Sequence, residues 1–150
     1  MFDTSKIGHS FPPFTVEIER NKIRELALAI EDNNPIYQSQ QAAQAVGYQD
    51  VALPPTLGTM FLFWENTDFV EQLRGLGVDV TRILHREEEY EYLAPLHPGE
   101  RLTGVMTVTD GSVRKGPRNS SIELITLQLR YSNQQGQLVL IATTRLVVNG

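Results

Sequence analysis

At 150 residues the chain fits one domain, 1–150, with a core of its own, and 41% apolar with 21% charged residues describes a globular chain rather than a disordered or membrane one. A formal net charge of −5 without a basic stripe argues against nucleic acid as the main partner, and the absence of cysteine excludes disulfides, thiol catalysis and thiolate metal sites. The longest apolar run, Leu57 to Trp64, falls short of the roughly 20 residues that span a bilayer, and no basic-then-apolar leader is present, so a cytoplasmic protein without a membrane partner is expected.

Residues 1–13 are polar and end in Phe11-Pro12-Pro13, an extended lead-in. Phe14, Val16 and Ile18 then alternate with Thr15, Glu17 and Glu19, the period of a half-buried strand. Ile23, Leu26, Ala27 and Ile30 follow at the i, i+3, i+4, i+7 spacing of a helix, with Asn34-Pro35 as its stop. Ser39 reads as the N-cap of a short helix through Val46, ended by Gly47 in the left-handed position. The segment 57–64 is apolar on nearly every side, which predicts a buried helix, and Pro55 suits its first turn. A shorter helix, Phe69 to Leu76, ends at Gly75 and Gly77.

From Arg82 onward the pattern is that of an antiparallel sheet. Arg82 to Leu93 places Leu84, Tyr90 and Tyr92 on one parity and Glu87, Glu89 and Glu91 on the other. Leu102, Gly104, Met106 and Val108 alternate with threonines, and Asp110-Gly111 and Lys115-Gly116-Pro117 mark the next connection. Between Ser120 and Tyr131 the apolar parity changes at Leu124-Ile125, which predicts a bulge or a strand covered on both faces. Gln135-Gly136 makes a hairpin turn, and Leu138 to Val148 closes the sheet with apolar residues on both parities. A short strand, helices, one buried helix and long antiparallel strands make an α+β domain in which a sheet wraps a central helix.

The segment Glu31-Asp32-Asn33-Asn34-Pro35-Ile36-Tyr37 resembles the active-site loop of MaoC-like hydratases and dehydratases, where an Asp and a His five residues later act on an acyl thioester. Here the Asp is Asp32, and Tyr37 stands at the His position. Pro54-Pro55-Thr56, the stretch Leu84 to Leu93, Pro95 to Glu100 and Tyr131 to Gly136 continue the resemblance over nearly the whole chain. It is similar to the N-terminal, FAS1-like half of such dehydratases and to small subunits of (3R)-hydroxyacyl dehydratases. The resemblance implies a single hot-dog domain and, in active members, hydration of a 2-enoyl or dehydration of a 3-hydroxyacyl thioester. It also implies a backbone N–H at the start of the central helix that polarises the thioester carbonyl; Pro55, Thr56, Leu57 and Gly58 lie there, with Gly58 serving either close ligand approach or tight packing.

A phenol titrating near ~10 is a poor base at neutral pH where a His near ~6.5 is a good one, so Tyr37 does not inherit the role. Asp32, Asn34 and Tyr37 remain the catalytic-loop candidates, with capping and packing as their alternative roles. Among the three histidines, His85 alone stands within an expected strand, as a substrate contact or as a surface or interface residue. No His-carboxylate spacing resembles a metal site, and no cofactor is expected beyond coenzyme A or acyl carrier protein as carrier of the substrate. Phe61, Phe63, Leu62 and Met60 divide between core and acyl channel. The expected role is the His-less accessory half of a hydro-lyase of fatty-acid metabolism, paired with a His-bearing hot-dog subunit. The alternatives are a homodimeric acyl-CoA-binding protein without lyase activity and a hot-dog thioesterase using Glu65 or Asp68.

Overall fold

The structure, a computed structural model, describes residues 1–116 and 120–149. The strands are β1 (Phe14–Glu17), β2 (Ile83–Tyr92), β3 (Arg101–Lys115), β4 (Ser121–Ser132) and β5 (Leu138–Asn149). They form one antiparallel sheet in the order β1-β3-β4-β5-β2, which leaves β1 and β2 as its edges. The helices are α1 (Arg20–Ala29), α2 (Gln40–Ala45), α3 (Gly58–Glu65) and α4 (Phe69–Gly75). Ser39 caps α2 by accepting from the Ala42 N–H, and Gly47 takes a positive φ of 98°, as the cap pattern predicts.

The apolar side of the sheet packs on α3. Phe61 is fully buried, edge-on to Tyr131 at 5.7 Å and tilted against Trp64 at 5.8 Å. Leu57 and Ile23 join Met106, Leu127, Leu129 and Leu140 in the same core. Burying each such side chain contributes about 1.5–3 kcal/mol, and this central layer holds the helix to the sheet. A Cβ on Gly58 would lie 3.0 Å from the Tyr90 ring and 3.3 Å from Leu140, so the missing side chain lets the helix start lie directly on β2 and β5.

Several expected boundaries move. Helix α1 ends at Ala29, earlier than Asn34-Pro35, because Glu31 turns left-handed at φ 58° and the Asp32 N–H bonds back to the Ala27 carbonyl. Pro55 lies in a turn before α3 rather than in its first turn. Asp110-Gly111 is not a connection: β3 runs on to Lys115, with a register shift between Val108 and Asp110, and the Phe2 ring covers Gly111 where a Cβ would be. Gly116 follows β3 and its N–H bonds the Ser120 carbonyl, whereas the Pro117 part of the expected turn lies outside the described residues.

In β4 the buried parity does not change. Glu123, Ile125, Leu127, Leu129 and Tyr131 all face inward, so the apparent switch arose from a buried carboxylate occupying an inward position. Strand β5 buries Leu140, Ala142, Leu146 and Val148 on one parity, with Ile141 and Val147 half-buried on the other. Glu123 accepts a hydrogen bond from the Phe2 N–H at 2.8 Å and is only 4% exposed. Replacing it by alanine leaves that buried N–H without a partner and is expected to cost about 1–3 kcal/mol in urea unfolding, with Glu123→Gln, which keeps an acceptor, costing less.

Candidate functional site

Asp32 sits at the end of the α1 turn, where its carboxylate accepts from the Asn34 N–H at 3.0 Å. The Asn34 side chain in turn accepts from the Ile36 N–H at 3.2 Å and caps a single 3-10 turn, Pro35–Tyr37. Both polar side chains therefore organise the loop, and the local bonding that favours Asp and Asn at turns accounts for them. Tyr37 is half-buried and packs against the core. Burial pushes its phenol up from the ordinary range, with the charge of Asp32 and the neighbouring Tyr48 adding to the effect. A phenol raised in this way stays protonated at neutral pH, where it is a poor base.

The start of α3 is occupied by tyrosines of β2. The Tyr92 hydroxyl donates to the Pro55 carbonyl at 2.7 Å, and the Gly58 N–H near the phenol oxygen opposes the upward push that burial gives it. Tyr90 is hydrogen-bonded to the Thr59 hydroxyl, with the Thr59 N–H also near it, and burial together with Glu88 and Tyr92 drives its phenol far up. Of the expected contact set, Pro55 and Thr56 are exposed at the turn, Leu57 is core and Gly58 is packed. The Gly58 N–H lies near the Tyr92 phenol, and the Thr59 N–H donates to the Thr56 carbonyl at 3.2 Å.

A cavity of about 400 Å³ opens beside α3, toward α4, β2, β4 and β5, with Gly58 and Thr59 at the helix start among its walls. Leu62, Phe63, Phe69, Leu73, Leu129 and Leu146 give it an apolar lining, within the size range of small-molecule sites. Phe63 is 57% exposed, so α3 is not buried all round; its open face is the cavity wall. The structure thus sorts the aromatic run on α3: Phe61 is core, while Leu62 and Phe63 face the cavity.

His85 and Glu88 line the same cavity, and the His85 Nε2–H donates to Glu88 Oε2 at 2.9 Å. A register shift between His85 and Glu87 brings His85 to the face used by Glu88 and Tyr90, and leaves Leu84 56% exposed on the opposite face. The expectation that Leu84 shares a face with Tyr90 and Tyr92 is therefore wrong: one extra residue, Arg86, inverts the parity of everything before it. Sequence reasoning missed Glu88 and Tyr131 as cavity residues. Glu88 was hidden in the run Arg86 to Glu89, where the other three are exposed and Glu87 and Glu89 are bridged by Arg145 at 3.3 and 3.2 Å.

Glu65 pairs with Lys22 at 3.8 Å and, like Asp68, is exposed and not a wall of this cavity. Among the described residues no cluster of His, Asp or Glu has the makings of a metal site, and no helix is long and apolar enough to cross a membrane. A second cleft, of about 460 Å³, lies between the loop after α2 and the turn after β2, with Tyr48, Asp50, Tyr92 and His97 among its walls.

Comparison with known proteins gives one family. The profile described as "FAS1-like, dehydratase domain region" matches residues 5–142. A UPF0336 protein of Saccharopolyspora erythraea is 34% identical over 149 residues, covering 99% of this chain and 92% of that one. Among solved structures, the C-terminally truncated HadBC (3R-hydroxyacyl-ACP dehydratase) complex of Mycobacterium tuberculosis contains a chain that superposes with a TM-score of 0.72 at 26% identity, covering 95% of this chain and 96% of that one. A MaoC-like dehydratase gives a TM-score of 0.77 at 26% identity, with 96% of this chain matched to 42% of that one.

Proposed function

Since the chain belongs to the FAS1-like dehydratase domain family and has the MaoC-like hot-dog fold, we propose that it is the accessory, non-catalytic half of a hydro-lyase acting on 2-enoyl or 3-hydroxyacyl thioesters. The carrying observation is the Tyr37 loop together with the start of α3. A neutral phenol replaces the His, Asp32 is engaged in its own turn, the Thr59 N–H is taken by the Thr56 carbonyl, and the Gly58 N–H lies near the Tyr92 phenol. A His-bearing hot-dog subunit supplies the acid-base pair, and this chain holds the acyl chain in the cavity beneath α3.

Pairing follows from the sheet. Strand β2 is a ten-residue edge with Leu84, Tyr92 and, just beyond it, Leu93 exposed by 56%, 41% and 46%. An edge of that length invites a second strand, and a hot-dog partner would extend the sheet across it. The HadBC complex offers a precedent, as a dehydratase built from two different chains. The test is to mix the purified chain with a His-bearing hot-dog subunit and follow mass by light scattering and enoyl-thioester hydration together. A joint species with turnover that neither chain shows alone is expected; a homodimer that ignores the partner would contradict the reading.

A further inference from the structure

Glu87, Glu88 and Glu89 follow one another on β2, and the sheet separates them. Glu87 and Glu89 pair with Arg145 on the exposed side, whereas Glu88 stands opposite Thr144 of β5 and, with it, forms part of the wall of the apolar cavity. Among the described residues that wall carries no Lys or Arg, so the carboxylate has only His85 beside it, bonded through Oε2. The Glu88 side chain is 14% exposed, and the His85 bond leaves Oε1 open to a ligand. The Tyr131 hydroxyl, by contrast, is buried in the core without a hydrogen-bond partner and is no contact for a ligand.

A carboxylate beside apolar walls is costly to leave without a counter-charge, and a cation that brings its own N–H donors offsets that cost best. We propose that the cavity takes an apolar chain ending in a protonated amine, with the ammonium against Oε1 of Glu88 and the chain along Leu62, Leu73 and Leu146. An ammonium supplies both donors and the opposite charge. An amide supplies donors alone, and a carboxylate supplies neither and is repelled. Phe63 and Phe69, edge-on to each other at 5.7 Å on the same wall, add aromatic surface of a kind that also attracts cations. This ligand class goes beyond the thioester reading and rests on the cavity being open to an apolar chain.

Displacement of Nile red, an uncharged dye, by octylamine, octanamide and octanoate separates the ligand class from the cavity reading. It is measured at about pH 8, above the ordinary imidazole range, on the wild-type chain, Glu88→Gln, Glu87→Gln and Leu62→Trp. The expected result is that Leu62→Trp, which fills the cavity, abolishes dye binding. On wild type, octylamine displaces the dye about 10-fold more tightly than octanamide, and octanoate more weakly than either. Glu88→Gln removes that order while still binding octanamide, and Glu87→Gln, on the exposed side, keeps it. If octanoate binds wild type as tightly as octylamine, if the order survives Glu88→Gln, or if Glu87→Gln abolishes it equally, the ammonium assignment is overturned and the cavity reading stands. If the dye does not bind, or Leu62→Trp binds as wild type, both fall. Glu88→Gln keeps the shape of the side chain and an acceptor for His85, and its binding of octanamide shows that loss of fold does not confuse the outcome.

Discussion

Phe61→Ala is expected to lower the unfolding free energy by about 3–5 kcal/mol, whereas Phe63→Ala, two residues along the same helix, is expected to change it by less than about 1 kcal/mol. Phe61 is fully buried against Tyr131 and Trp64, so truncation removes an aromatic ring from the layer joining α3 to the sheet and leaves a cavity that its neighbours cannot collapse to fill. Phe63 is 57% exposed on the cavity face, where its ring contacts Phe69 at 5.7 Å and little else is lost with it. Urea unfolding of the two variants gives the comparison directly. Equal losses would mean that α3 is packed alike on both faces and that the cavity is not open space. Phe63→Ala should instead be visible in acyl-chain binding, because it enlarges the cavity wall.

Alkali should unfold the protein, with an onset near pH 10. In the unfolded chain a phenol titrates near ~10. In the folded chain burial holds Tyr131 and Tyr90 well above that, Glu88 adding to both, and burial raises Tyr92 and Tyr37 as well. The unfolded state therefore releases protons that the folded state keeps, so stability is fully present below pH 10 and falls as pH rises beyond it. Each fully protected phenol contributes a loss of about 1.4 kcal/mol per pH unit. Tyr131 should deliver nearly that, and the more exposed tyrosines a smaller share because solvent screens them. Tyr131→Phe should flatten the decline by about one proton, and should leave stability at pH 7 unchanged or slightly raised, since it deletes an unpaired hydroxyl. A decline of unchanged slope in Tyr131→Phe would show that its phenol ionises in the folded state.

Much of this was readable in the chain. Helical spacing at Ile23 and Ala27, the Ser39 and Gly47 caps around α2, and the Gln135-Gly136 turn are all where local chemistry puts them, because capping and turn geometry depend on adjacent residues. What escaped depended on partners far away in sequence. Gly111 looked like a turn glycine, yet it is a strand glycine cleared for Phe2, more than a hundred positions earlier. Leu124 seemed to share a face with the core because the buried Glu123 broke the apolar alternation, and only the contact with the Phe2 N–H explains a carboxylate there. The bulge at Arg86 reassigns the faces of β2, and with them the company that Glu88 keeps.

The loop at Asp32 was legible as a motif, and its change at Tyr37 was legible as a departure. That Tyr92 and Tyr90 stand against the start of α3 was not, since it needs β2 laid across Gly58. Tyr37 at the His position and Tyr92 and Tyr90 beside the start of α3 are the physical grounds on which the accessory role is proposed.

The most direct measurement is hydration of 2-enoyl-CoA by the purified chain alone, followed by loss of the conjugated thioester absorbance over several chain lengths, with Asp32→Asn as the control. A non-catalytic chain gives no turnover above the uncatalysed rate, in wild type and Asp32→Asn alike. Clear turnover that disappears in Asp32→Asn would contradict it, and would place acid-base work on Asp32 with Tyr37 or His85 as its partner.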